Sequence, residues 1–299
     1  MNVTLVSHVN GDGDILRAWC RYYRVLGVTS FHLIAHGSEA DNATLSELRR
    51  EFPIKICDAY ASPFTTVEKK ARLDAVLATL SNQWVLEVDS DEFVELPGRD
   101  VAHTVRLLEG VGGSALPAPM IQRIRADGSL ASPLIVENPF REFPLCAVNL
   151  YRDMGVRAAI DKYPLFYCGQ SIRLGDGGNH SVPAGCRGAP SVLQGVTHHF
   201  KWRASVIQRL VDRAFGPHSW RYVSHDFLAY LERMGGRLPT AGAFAYSRAE
   251  LFRRGLLRRP RPLENLLLRI RPTARRWLPP GLRTGLARTY TALGGRSLL

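Results

Sequence analysis

The chain begins with an uninterrupted apolar-rich run, residues 3–9, and then changes period. In "GDGDILRAWCRYYRVLG" the apolar residues Ile15, Trp19, Tyr22, Tyr23 and Leu26 recur at helical spacing, and Gly27 ends the pattern. The same change of period repeats. "SFHLIAHG" reads as a second strand, and "SEADNATLSELRREF" as a second helix with Asp41 or Asn42 as its N-cap. "PIKICDAY" reads as a third strand, "TTVEKKARLDAVLATLS" as a third helix and "WVLEVD" as a fourth strand. Strands alternating with helices predict an α/β fold: a mostly parallel sheet with helices on both faces. Ligands of such sheets sit beyond the carboxyl ends of the strands.

After Pro97 the alternation fades. "DVAHTVRLLEGV" predicts a helix, and "SALPAPMIQRIRADGSL" a strand and turn. Residues 132–200 are rich in Pro and Gly and read as an irregular region that completes the sheet and covers the site. Two more helices are predicted over 201–215 and 220–235.

Composition adds an organisation that periodicity does not show. The net charge of +12 is uneven: residues 248–299 carry 13 Arg and 2 acids, so the rest of the chain is nearly neutral. This divides the chain into a body, 1–240, and an Arg-rich helical C-terminal appendage, 241–299. In the appendage Leu263, Leu266, Leu267 and Ile270 share one helical face, and Leu282, Leu286, Tyr290 and Leu293 another. Basic amphipathic helices of this kind lie on anionic membrane surfaces, although an Arg-rich solvated appendage gives the same pattern. Few aromatics and no known module argue against nucleic acid as a partner. No 18-residue apolar run and no leader-like N-terminus are present. Five scattered cysteines without a C-x-x-C pair argue against a zinc site or disulfide framework. The expected location is the cytoplasm, peripheral at the inner face of the membrane if the tail binds it.

The fourth strand runs directly into "DSDE", with Glu87, Asp89, Asp91, Glu92 and Glu95 within nine residues. Crowded carboxylates repel one another unless a positive group sits among them. Residues i and i+2 at a strand end can face one side, so Asp89 and Asp91 together suit a hard divalent cation, Mg²⁺ or Mn²⁺, shared with substrate phosphates. The alternative is acids that cap the next turn and face water.

"WVLEVDSDEFVEL" resembles the D-x-D-E-F signature of GT-A-fold glycosyltransferases, in the family-2-like and family-92-like group. "GDGDILRAWCRYYRVLGVTSFHLIAHGSEAD" is similar to that group's first half, and "GGNHSV" and "HHFKWR" to its C-terminal histidine motifs. The group's usual Asn-Glu is replaced here by Asn10-Gly11-Asp12. The resemblance implies a GT-A (Rossmann-like) sheet and a metal-dependent transfer of a sugar from a nucleotide-diphospho-sugar, most simply a UDP-sugar, to a carbohydrate or lipid-linked hydroxyl. It implies that Asp91 binds the metal directly, with Asp89 reaching it through water or contacting ribose. His180, or one of His198 and His199, completes the metal sphere. Glu92, Asp176 and Glu137 are then the candidates for the general base. Ser7, Asn10, Asp12 and Asp41 fall at the edges that hold base and ribose. Lys201 and Arg203 either pair with the diphosphate or form the polar face of the next helix.

Two other classes compete with this expectation. A phosphotransferase or phosphatase could use a D-x-D nucleophile, although Phe93 and the fourth-strand position do not suit one. A GT-A-like binding protein that has lost catalysis could dock through its tail.

Overall fold

A computed structural model of the chain describes residues 2–37, 39–156, 160–170, 172–175, 179–189 and 193–258, the side chains of 39–42 excepted. The first half runs β1 (Thr4–Val9), α1 (Gly13–Val25), β2 (Ser30–His36), α2 (Glu39–Leu48), β3 (Ile54–Tyr60), α3 (Thr66–Ala78), β4 (Gln83–Glu87), β5 (Glu92–Glu95) and α4 (Val101–Gly110). The second half runs β6 (Ala115–Leu116), β7 (Met120–Ile124), α5 (Pro139–Glu142), β8 (Leu145–Cys146), α6 (Leu150–Asp153), β9 (Leu165–Cys168) and β10 (Val196–His199). It ends with α7 (Ser205–Phe215), α8 (Arg221–Arg233), β11 (Phe244–Ala245) and α9 (Arg248–Arg253).

The main sheet has the order β3-β2-β1-β4-β9-β6. Its first four strands are parallel, as the alternation predicts; β9 pairs antiparallel with β4 and with β6, so β9 alone runs against the other strands of the sheet. β1 is buried along its whole length, polar Thr4, Ser7 and His8 included, which is why it does not read as an alternation of apolar and polar residues. A second sheet, β11-β8-β7-β10-β5, begins immediately after the acid motif, where β5 pairs antiparallel with β10. The alternation does not predict it, because β8 and β11 are two residues long and carry no period.

Helix α1 locks the two sheets together. Its apolar stripe buries Ile15, Trp19 and Tyr23. Trp19 Nε1 and Tyr23 Oη both donate to the carbonyl of Glu92, at 3.1 and 2.9 Å, and Tyr22 Oη donates to that of Val94 at 3.0 Å. Phe93 is buried against Tyr22 and Phe200, with ring centroids 5.1 Å away in each case. The start of β5, and therefore the loop of acids before it, is fixed by the aromatic face of α1.

Helix α2 begins at Glu39, so Asp41 lies inside it rather than at its N-cap. Residues 244–257 of the expected appendage are built into the body: β11 pairs with β8, and Leu251 and Leu257 are buried with Ile121, Cys146 and Val196. The apolar faces expected over 263–293 lie outside the described residues. Among those described, no helix is long and apolar enough to cross a membrane.

Candidate functional site

The acids lie in the loop between β4 and β5, which turns through a 3.0 Å bond from Glu92 N to the carbonyl of Asp89. The charges among them come from the chain itself. Lys69 Nζ lies 2.5 Å from Asp89 Oδ1, and Lys162 Nζ lies 2.8 Å from Glu92 Oε1 and 3.8 Å from Asp89 Oδ2. Both lysines are buried. Burial opposes ionisation of Asp89, but the two ammonium groups outweigh it and hold its pKa at about 2. Lys69 is the fourth residue of α3, whose N-cap Thr65 accepts from Glu68 N at 3.1 Å.

Asp12 is the second focus. Arg203 pairs with it, Arg209 Nη1 lies 2.8 Å from Oδ1, and Ser90 Oγ donates to Oδ2 at 2.5 Å. Arg203 also pairs with Asp14 at 2.9 Å and is fully buried. This knot joins the loop after β1 to the loop after β4.

Both loops open into a cavity of about 480 Å³ at the carboxyl edge of the parallel strands, a size that suits a small ligand. Its lining includes Asn10, Asp12, Asp89, Asp91 and Glu92. Lys201, Arg209 and Arg213 line the same cavity, Arg209 in contact with Asp12 and the carbonyl of Asn10. Lys201 Nζ lies over the ring of Phe227, 4.2 Å from its centroid, and Arg213 lies over Phe64 at 4.7 Å. Neither has a carboxylate within ion-pair distance among the described residues. Arg209 leaves two buried donors, Nε and Nη2, without a partner. Burial lowers the pKa of Lys201 to about 7.

Deeper along the edge, His8 Nε2 lies 2.7 Å from Tyr60 Oη, and His36 stacks on Tyr60 with centroids 4.3 Å apart. Burial brings His8 down to about 3, with Lys69 acting in the same direction, so His8 is neutral here. His8 and Phe64 line the cavity, with Arg213 over the Phe64 ring.

Asp91 has a different environment from Asp89. Its partner is His199, with Nε2 at 3.4 Å from Oδ2. Trp202 Nε1, a donor only, gives its proton to Gln122 Oε1 at 3.1 Å. The amide nitrogen of Gln122 therefore faces His199 Nδ1, at 3.0 Å. Nδ1 must accept, so the ring proton sits on Nε2 and points at Asp91. That nitrogen has no lone pair to offer a cation. The expected ligands Asp89, Asp91, His180 and His199 consequently do not form a set. Asp89 is held by lysines, His199 is a donor, and His180 Nδ1 meets the carbonyl of Asp161 at 3.0 Å. Among the described residues no three His, Cys, Asp or Glu side chains gather to hold a metal ion. The residues present do not fit a divalent cation.

No protein family and no curated protein matches the chain. Among solved structures, S. aureus TarS 1–349 in complex with UDP-GlcNAc is similar over 78% of this chain and 72% of that one, with 8% identity and a TM-score of 0.38. The same TarS fragment in complex with UDP is similar over 84% and 74%, with 9% identity and a TM-score of 0.37. Likeness of this degree leaves function to the chemistry of the site.

Of the residues singled out from sequence, Asn10, Asp12, Asp89, Asp91, Glu92, His180, His199 and Lys201 line the one cavity. The others do not. Arg203 is spent on Asp12 and Asp14 inside the core and does not reach the cavity. Ser7 is buried in β1, and Glu137 is exposed away from the cavity. His198 is buried beside Arg123 Nη1, at 3.2 Å. Asp176 and the side chain of Asp41 lie outside the described residues. Sequence reasoning missed Lys69, Lys162, Arg209 and Arg213. Only Lys69 leaves a signal: it shares the buried stripe of α3 with Leu73, Val76 and Leu77, where a charge needs a buried partner.

Proposed function

We propose that the chain is a glycosyltransferase that moves a sugar from a nucleotide-diphospho-sugar, a UDP-sugar being the first donor to test, to a hydroxyl of a carbohydrate or lipid-linked acceptor. One observation carries the reading. A cavity at the carboxyl edge of β1 and β4 brings a carboxylate, Asp91, together with the cationic side chains of Lys201, Arg209 and Arg213 and the aromatic side chains of His8 and Phe64. Such a cavity accepts a base, a diphosphate and a sugar together.

In this reading the acceptor oxygen forms its bond to the anomeric carbon as the bond from that carbon to the diphosphate breaks. The electron pair leaves on the diphosphate, and the acceptor's proton passes to Asp91. Burial opposes the charge of Asp91, but His199, Arg203 and Arg209 hold it ionised, well below the usual carboxylate range. A diphosphate beside it raises its affinity for a proton. The basic segment at 259–299 would keep the enzyme at an anionic membrane surface, which suits a lipid-linked acceptor.

The test is calorimetry of the full chain with UDP, GDP and dTDP and their sugars. Saturable binding of one nucleotide, followed by sugar transfer or slow donor hydrolysis, supports the proposal. A folded protein that binds none of them, with or without Mn²⁺, ends it.

A further inference from the structure

The acids of this site raise a question of charge balance. Departure of a sugar leaves one more negative charge on the diphosphate, and a group must be in place to meet it. A divalent cation held by two carboxylates is one solution. Here the first carboxylate of the pair already has two buried ammonium partners: Lys69 at 2.5 Å and Lys162 at 3.8 Å from its two oxygens. Installing a cation on Asp89 would drive Lys69 and Lys162 away from it, leaving Lys69 buried without its carboxylate and Lys162 with Glu92 alone, a costly exchange.

Among the cations lining the same cavity the imbalance has the other sign. Lys201 and Arg213 are cations that face the cavity, rest on aromatic rings and have no carboxylate within ion-pair distance among the described residues. Arg209 holds Asp12 with one nitrogen and leaves Nε and Nη2 buried and unused. Arg209 and Arg213 are four residues apart on α7, so they project from one face of the helix, and Lys201 precedes its start. Cations that line a cavity without a carboxylate beside them suit an anionic ligand. Lys201 and Arg213, with Arg209 lining the same cavity, match the several oxygens of a diphosphate.

We infer that Lys201, Arg209 and Arg213 hold the leaving diphosphate and that transfer proceeds without a divalent cation. The inference rests on the glycosyltransferase reading above. The acceptor oxygen bonds to the anomeric carbon, the carbon–oxygen bond to the diphosphate breaks, its electron pair stays on the diphosphate against the three cations, and the acceptor proton goes to Asp91. No other reactant enters.

The experiment titrates UDP, GDP, dTDP and inorganic pyrophosphate into the full chain in EDTA and again in excess Mn²⁺, with turnover of the corresponding nucleotide-sugars measured in both. The expected result is binding and turnover in EDTA, with Mn²⁺ changing Kd by less than about threefold, under 1 kcal/mol. Lys201→Met and Arg213→Gln should each weaken nucleotide and pyrophosphate by about tenfold or more, while Asp91→Asn binds them at least as tightly in EDTA. If Lys201→Met does not fold, Lys201→Arg, which keeps the charge, should retain binding, and Arg213→Gln carries the loss. Binding that needs Mn²⁺ and disappears in Asp91→Asn would overturn the inference and leave the glycosyltransferase reading intact. Binding in EDTA that both charge-removing variants retain would also overturn it. Failure of every nucleotide under both conditions removes the glycosyltransferase reading, and the inference with it.

Discussion

Ser90 Oγ donates to Asp12 Oδ2 across 2.5 Å, so the middle residue of the acid triplet is tied to the loop that follows β1. The same carboxylate accepts from Arg203 and Arg209. Asp12 is thus the anion that holds two arginines and the acid loop in register. Removing it leaves Arg203 fully buried with Asp14 as its remaining carboxylate. Asp12→Ala should therefore lower unfolding stability by about 3 kcal/mol, the usual cost of breaking a buried pair from one side. Asp12→Ala/Arg203→Met should recover most of that loss. Urea denaturation of the wild type, both single variants and the double variant measures it. A double variant no more stable than Asp12→Ala would contradict the pairing.

Asp91 and Asp89 stand two residues apart but have different work. Asp89 is locked by Lys69 and Lys162, whereas Asp91 faces the cavity with a histidine N–H behind it. If Asp91 takes the acceptor's proton, Asp91→Asn should reduce turnover by about 10²-fold or more while nucleotide affinity persists. Asp89→Asn should act mainly on folding, because it leaves two buried ammonium groups short of charge. Steady-state kinetics beside calorimetry separates the two. Equal loss of nucleotide affinity in both variants would show that the pair acts as one unit.

A third expectation concerns Glu87, at the end of β4. It is buried, and Asn179 Nδ2 donates to its Oε2 while Oε1 has no partner. Burial, with Asp89 adding to it, raises its pKa to about 8, so the folded protein holds this carboxyl protonated at neutral pH. A folded pKa above the unfolded one gives stability that is full below about pH 4.5 and is lost as pH rises through about 8. Glu87→Gln, which cannot ionise, should remove that loss. The variant should gain about 1–3 kcal/mol relative to wild type between pH 5 and pH 8.5 in denaturation experiments. A difference that does not change with pH would mean that Glu87 is ionised in the folded chain.

The parts of this protein that could be read from sequence are those in which neighbours in sequence are neighbours in space. The alternation up to β4 is of this kind, because each βαβ unit writes its own period. The acid loop is too, since Asp89, Ser90 and Asp91 are contiguous. What balances those acids was not legible. Lys162 stands in an irregular stretch 70 residues after Glu92, and no spacing rule joins them. Arg213 looks like any charged residue on an amphipathic helix, and only the packing of α7 shows that it lines the cavity over the ring of Phe64, without a carboxylate within ion-pair distance among the described residues. The expectation of a metal came from reading the acids and from the family resemblance they carry. The fold brought lysines from α3 and from the approach to β9 to the place where a cation was expected. The second sheet escaped for a related reason: its short strands are held by pairing across the chain and not by any local pattern.

Lys201 supplies the last prediction. Burial, with Arg213 and Arg209 adding to it and Asp91 opposing, brings its pKa from the ordinary 10.5 to about 7. At pH 8 the free protein therefore holds much of this amine neutral. An anion bound against it restores the favourable charged state, so binding draws a proton from solution. The sign is definite: affinity for UDP or pyrophosphate should fall as pH rises from about 7 toward 9, and calorimetry in two buffers of different ionisation enthalpy should show proton uptake approaching one per ligand at pH 8. Stability of the free protein should move the other way. Between about pH 7 and 10.5 the unfolded chain holds more protons at this residue, so its contribution to stability rises with pH across that window. Lys201→Met should abolish the proton uptake and flatten both dependences. Uptake that survives in Lys201→Met would transfer the titration to another group of the cavity, and the absence of uptake in wild type would mean that the ammonium is already charged before the anion arrives.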